Sequence, residues 1–160
     1  MKINNESIRV AVKEWLENKN NAESKYGHIS NWDTSEVTDM KFLFENAKDF
    51  NDDIGRWDTS NVTNMYGMFF GAKSFNQDIG DWDVSNVEDM LNIFCSAESF
   101  NHDISRWDVS KVENMKGMFC EAKSFNQDIG RWDVSNVKEI SSMFEKASSF
   151  NQNLSAWDIS

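Results

Sequence analysis

Apolar and polar positions repeat along this chain with a period of 25 residues and no insertions. Trp32, Trp57, Trp82, Trp107, Trp132 and Trp157 mark the period, each opening a Trp-Asp-x-Ser motif. Four apolar columns follow: Val37, Val62, Val87, Val112 and Val137; Met40, Met65, Met90, Met115 and Ile140; Phe44, Phe69, Phe94, Phe119 and Phe144; and Ala47, Ala72, Ala97, Ala122 and Ala147. Their intervals of three, four and three are those of one face of a helix, so the Val-to-Ala run is predicted helical. The Ser column supplies a start signal, because its hydroxyl can accept from a free N–H of a first helical turn. Ser85 with Glu88 and Ser110 with Glu113 match the reciprocal capping box. The preceding Asp is placed for an Asx-type turn. Lys48, Lys73 and Lys123 come just after the Ala column, where cations complement a negative helix end.

The rest of each repeat reads Phe-Asn-x-Asp-Ile-Gly, as in Phe75 to Gly80, and is predicted to be a brief strand. One such unit cannot bury its own aromatic residues, but stacked units share a core, and about three suffice. The expectation is therefore an α/β solenoid of five helix-plus-short-strand repeats over 32–160, starting at Trp32, Trp57, Trp82, Trp107 and Trp132, with a partial sixth at Trp157. Coils should lie about 4.8 Å apart on the strand side and about 8–10 Å apart on the helix side, which would curve the stack. Residues 1–31 break the period. Ile8, Ala11, Val12, Trp15 and Leu16 form the stripe of an amphipathic helix, read as a cap over the first coil and joined to it by a polar linker. The far end stops in mid-repeat, so a fragment of a longer array, or end-to-end association through the uncapped last repeat, is the expectation there.

The run Phe-Asn-Gln-Asp-Ile-x-x-Trp-Asp-Val-Ser-Asn-Val, clearest from Phe75 and from Phe125, resembles the BspA-type leucine-rich-repeat surface proteins of bacteria. The segment from Ile8 to Trp32 is similar to the one that often precedes such repeats. The resemblance implies a leucine-rich-repeat-like solenoid, a cell-surface or extracellular location, and a role in adhesion or protein binding. It brings no catalytic residue with it.

Charge narrows the choice of partner. A net charge of -11 repels phosphate backbones, so nucleic acid is not an expected partner. No stretch approaches the roughly 20 apolar residues of a membrane span, and the start has no apolar signal-peptide core. Location is left open on these grounds. The two cysteines, Cys95 and Cys120, share a column of adjacent repeats; with helix-side spacing, they are expected to be free thiols.

No catalytic constellation and no cofactor site is expected, because identical units make identical environments. His28 lies in the linker, and His102 takes a column otherwise held by Asp52, Gln77, Gln127 and Gln152. Two Asp columns carry the sharper chemistry. Asp33, Asp58, Asp83, Asp108, Asp133 and Asp158 form one; Asp53, Asp78, Asp103 and Asp128 form the other. The second is a candidate calcium ladder, but its spacing lacks the Asp-x-Asp-x-Asp-Gly pattern, and bonding to backbone N–H groups is the leading reading. Asn51, Asn76, Asn101, Asn126 and Asn151 read as an amide ladder between coils. The Trp column is read as core rather than as a carbohydrate platform. The expected function is a non-catalytic module for protein–protein interaction or surface binding, with a glycan-binding or calcium-dependent adhesin as the alternative.

Overall fold

A computed structural model describes residues 1–160. Helix α1 spans Asn5–Glu17 and helix α2 spans Lys19–Tyr26, followed by a 3-10 turn at Ile29–Asn31. Asn4 caps α1 by accepting from the N–H groups of Glu6 and Ser7, while the Ser7 hydroxyl accepts from the Asn4 N–H. Helix α1 buries Ile8, Ala11, Val12 and Trp15 against the first coil. The polar segment read as a linker forms α2, which buries only Ala22 and so has no apolar stripe to announce it.

From residue 32 onward the chain contains no helix, and the only sheet-like pairings are isolated parallel bridges. This corrects the expected α/β, leucine-rich-repeat-like architecture of helix-plus-strand repeats. The Val-to-Ala run is a series of turns instead. In coil 1 (residues 32–56) the N–H groups of Leu43, Glu45, Ala47 and Phe50 donate to the carbonyls of Met40, Phe42, Phe44 and Ala47, three residues back. The alternate N–H groups point out of the coil: Met40, Phe42, Phe44 and Asn46 donate to Asn64, Tyr66, Met68 and Phe70 of coil 2 at 2.7–2.9 Å. Two positions per coil have positive φ, namely Phe42 and Asn46, Gly67 and Gly71, Asn92 and Ser96, Gly117 and Glu121, Ser142 and Lys146. An α-helix needs negative φ throughout, so each pair breaks it. The three-four-three spacing of the apolar columns is the spacing of successive turns that return to one wall.

The Phe-Asn-x-Asp-Ile segment is not a strand either. Between coils it has one backbone link near its start, such as Ser74 N–H to the Lys48 carbonyl, and then a side-chain ladder: Asn76, Asn101, Asn126 and Asn151 each donate their N–H to the Asn Oδ1 one coil earlier. The backbone ladder thus lies where a helix was predicted, and amides do the linking where a strand was predicted. No wall has the wide spacing a helix would impose. Phe44, Phe69, Phe94, Phe119 and Phe144 stack at 5.6–5.7 Å between ring centroids, Phe50 to Phe150 at 5.8–6.0 Å, and the tryptophans at 6.1–6.5 Å where stacked.

These aromatic columns run through one continuous core, from Ile3 to Met143. Each fully buried side chain of this size contributes about 1.5–3 kcal/mol over an exposed one. Polar groups drawn inside are matched: the Nε1–H of Trp57, Trp82, Trp107, Trp132 and Trp157 donates to the carbonyl of the Ile 28 residues earlier, at 2.8–3.1 Å. The buried hydroxyls of Thr34 and Thr59 donate to the carbonyls of Asp58 and Asp83. No buried side-chain nitrogen or oxygen lacks a partner, so stacking costs the core no stranded polar group.

Candidate interaction surface

The polar columns that drew attention in the sequence are occupied by the fold. In the first Asp column, Oδ1 of Asp33, Asp58, Asp83, Asp108, Asp133 and Asp158 accepts the N–H of the Ser two residues on at 3.0–3.1 Å. In all but Asp133 the same Oδ1 also takes the Ser hydroxyl at 2.6–2.7 Å. The Ser hydroxyl is therefore a donor to Asp and caps no helix. The capping boxes do not form: Glu88 and Glu113 send their N–H to the carbonyls of Thr63 and Glu88 in the coil before. For Asp33, Asp83 and Asp158, the Ser hydroxyl and then the Ser N–H hold the carboxyl below its ordinary range.

In the candidate calcium ladder, Oδ1 of Asp53, Asp78, Asp103 and Asp128 accepts from the N–H of Gly55, Gly80, Ser105 and Gly130 at 2.9–3.0 Å. No three carboxylate, Cys or His side chains converge as a metal would require, here or elsewhere. His28 is tied up locally, its Nδ1 2.7 Å from the Ser30 hydroxyl and its ring edge-on to Trp15 at 5.3 Å. His102 stays half-buried in the Gln column. Its neighbours Gln77, Gln127 and Gln152 donate to Asn carbonyls one coil earlier. The tryptophans of coils 1 to 5 are only 3–4% exposed, which closes their faces to a sugar ring.

The lysines placed at a supposed helix end do a different job. Glu98 lies between Lys73 of the coil before and Lys123 of the coil after, both at 2.9 Å, and the two hydrogen bonds pull its carboxyl down to about 2. Lys146 pairs with Glu121 in the same way at 2.9 Å. Such exposed pairs are individually weak, but they lie along the stacking direction.

What remains free is the outward side of the turn ladder. Lys41, Tyr66, Leu91, Lys116 and Ser141 occupy one column there, and Phe42, Gly67, Asn92, Gly117 and Ser142 the next. Phe42, Tyr66, Phe70 and Leu91 are half-buried, and the rings of Phe42 and Tyr66 meet at 4.4 Å. At positive φ, a side chain on Gly67 would run into the Phe42 ring, so the glycine is what lets Phe42 lie flat along the ladder. The strip adjoins an open groove beneath α1 lined by Arg9, Val12, Leu16, Phe42 and Leu43, where Leu16 is 43% exposed. Sequence reading passed over these residues. Their signal was irregularity: apolar side chains in columns where later coils carry Lys116, Ser141, Ser142 and Glu145.

The molecule is thus a repeat solenoid of turn-built 25-residue coils with a helical cap. The chain belongs to the family described as Mycoplasma protein of unknown function, DUF285, which it matches over residues 12–115 and 79–160. No curated protein and no solved structure matches it. No helix is long and apolar enough to cross a membrane.

Proposed function

We propose that the chain is a non-catalytic binding module that engages another protein through the strip of Phe42, Tyr66, Phe70 and Leu91 and the adjoining groove under α1. The observation that carries this reading is the strip itself. Four large apolar side chains remain half-exposed on coils whose other outward positions are polar. Aromatic side chains concentrate at the centres of protein interfaces, where a few of them supply most of the binding energy. Arg9, Lys13 and Glu17 give the groove a rim of mixed charge, with Arg9 paired to Asp39 at 3.3 Å. The resemblance to BspA-type surface repeats supports adhesion at a cell surface as the setting.

The test compares the intact chain with a Tyr66→Ser/Leu91→Ser variant in affinity capture and cross-linking against surface extracts of the source cells. A partner recovered by the intact chain and lost by a variant of equal Tm supports the reading. A partner held equally by both moves binding off this strip, and calcium- or glycan-dependent capture unaffected by the substitutions favours the adhesin alternative.

A further inference from the structure

Cys95 and Cys120 occupy the same position of coils 3 and 4, and no helix forms there to hold the coils apart. Their coils are joined by backbone hydrogen bonds at this very column. The Ser96 N–H donates to the Cys120 carbonyl at 2.7 Å, and one coil earlier the Gly71 N–H donates to the Cys95 carbonyl at 2.8 Å. Segments bonded in this way lie about 4.8 Å apart, inside the window of about 4.4–6.8 Å between Cα atoms that a disulfide spans. The residues just before them, Phe94 and Phe119, stack with rings 5.6 Å apart and 8° from parallel, so adjacent side chains of these two coils leave the wall in register. The column holds Glu45, Phe70 and Glu145 in the other coils, so this is the one place where two thiols meet.

We propose that Cys95 and Cys120 are a dithiol site that a low-molecular-weight disulfide, such as oxidised glutathione, converts to a disulfide stapling coil 3 to coil 4. Cys120, the more exposed of the two, reacts first: its thiolate attacks one sulfur of the oxidant, the oxidant's S–S bond breaks, and one thiolate leaves. Cys95 then gives its proton to solvent and attacks the Cys120 sulfur. The mixed disulfide breaks and the second thiolate of the oxidant departs. Two protein thiols have lost two electrons to one molecule of oxidant, which ends as two thiols. The order follows from burial. Cys95 is 8% exposed, and burial, with the charge of Cys120 next, pushes its thiol up to about 11. It is a poor first nucleophile, and capping Cys120 as a mixed disulfide removes the neighbouring charge before the second step.

Incubating the reduced chain with oxidised glutathione and reading intact mass, thiol count and peptide maps tests this. The expected product is a monomer lighter by two hydrogens, with no free thiol, a Cys95 to Cys120 link, and a Tm that rises and returns on reduction. Cys95→Ser should stop as a glutathione adduct on Cys120, while Cys120→Ser should react far more slowly. A stable adduct on Cys120 of the unmodified chain with Cys95 still free would overturn the proposal. So would disulfide-linked dimers in place of the internal link.

Discussion

At the N-terminal end, the outward edge of coil 1 is met by α1; at the other end, the opposite edge of coil 5 stands open. Within the stack, the N–H of each residue six places after Trp donates to the coil before, as Thr63 does to the Thr38 carbonyl. In coil 1 no earlier coil exists, and Asn5 supplies the acceptor: its Oδ1 takes the Thr38 N–H at 2.8 Å. The carbonyls that a preceding coil would fill are those of Asp39, Lys41, Leu43 and Glu45, and the Arg9 guanidinium donates to the first two at 3.5 and 2.7 Å. Asn5 and Arg9 stand one turn apart on α1, so a helix imitates part of the edge of a coil with two side chains. Coil 5 turns the opposite edge outward. The N–H groups of Ile140, Ser142, Phe144 and Lys146 find no backbone carbonyl, and Met143, Phe144, Leu154, Trp157 and Ile159 line an apolar groove beside them. The stack therefore has a direction. Two such ends set face to face would oppose N–H to N–H, so only a carbonyl-bearing edge, of the kind α1 covers on coil 1, completes this one.

The most severe way to break the comparison is to remove the cap. Deleting residues 1–31 exposes the underside of coil 1 and discards the burial of Ile8, Ala11, Val12 and Trp15, upwards of about 5 kcal/mol, comparable to the whole stability of many domains. The expected outcome is loss of the folded monomer, either to unfolded chain or to head-to-tail oligomers seen by sedimentation. A folded monomer with unchanged Tm would remove α1 from the role of cap. Next in size is the aromatic column. Phe94→Ala, in the middle of the stack, should cost about 3–5 kcal/mol in denaturant unfolding, whereas Phe144→Ala, half-exposed at the open end, should cost about 1–2 kcal/mol. Equal costs would mean that the end coil is as well packed as the centre. The amide ladder gives a smaller contrast. Asn101 receives the Asn126 N–H and should cost about 1–2 kcal/mol when replaced by Ala, while the Asn151 Oδ1 receives no N–H in this chain and its replacement should cost close to nothing.

The period, the core columns and the Asx turns could be read from the sequence because each rests on short-range chemistry repeated five times over. Neither the helix nor the strand expected in each repeat forms, for a physical reason. Apolar spacings of three and four arise from a helix, but also from consecutive turns, and periodicity alone does not separate them. The separating signal was present: Gly67, Gly71 and Gly117, with Asn46 and Asn92, fall in just two columns of the supposed helix. Glycine and asparagine are the residues that tolerate positive φ, and their recurrence there marks turns. The Phe42 and Tyr66 strip showed in the sequence only as an irregularity in its columns, since which side of a turn faces water depends on the direction the chain takes through it.

The smallest expected effect concerns acid, which should narrow the gap between centre and end. Glu98 ties coils 2, 3 and 4 together through Lys73 and Lys123, whereas coil 5 carries Ser148 in that column. Hydrogen bonds from the two lysines lower the Glu98 carboxyl from its ordinary 4.5 to about 2. A carboxylate held down in the folded state adds stability that is present in full above the unfolded value and is lost as pH falls toward the folded one. Its contribution should therefore fade between pH 4.5 and 2. Several aspartates are also held below their ordinary 3.8 by their Ser partners, so the whole chain loses Tm on acidification, and Glu98→Gln is needed to isolate one residue. At neutral pH that variant should melt lower by about a degree or two, as suits an exposed network. On acidification its Tm should converge with that of the unmodified chain, and hydrogen exchange in coil 3 should move toward the faster exchange of coil 5. A constant offset down to pH 2 would show that the lysines hold the coils through their stems packed along the wall, with the charge on Glu98 adding nothing.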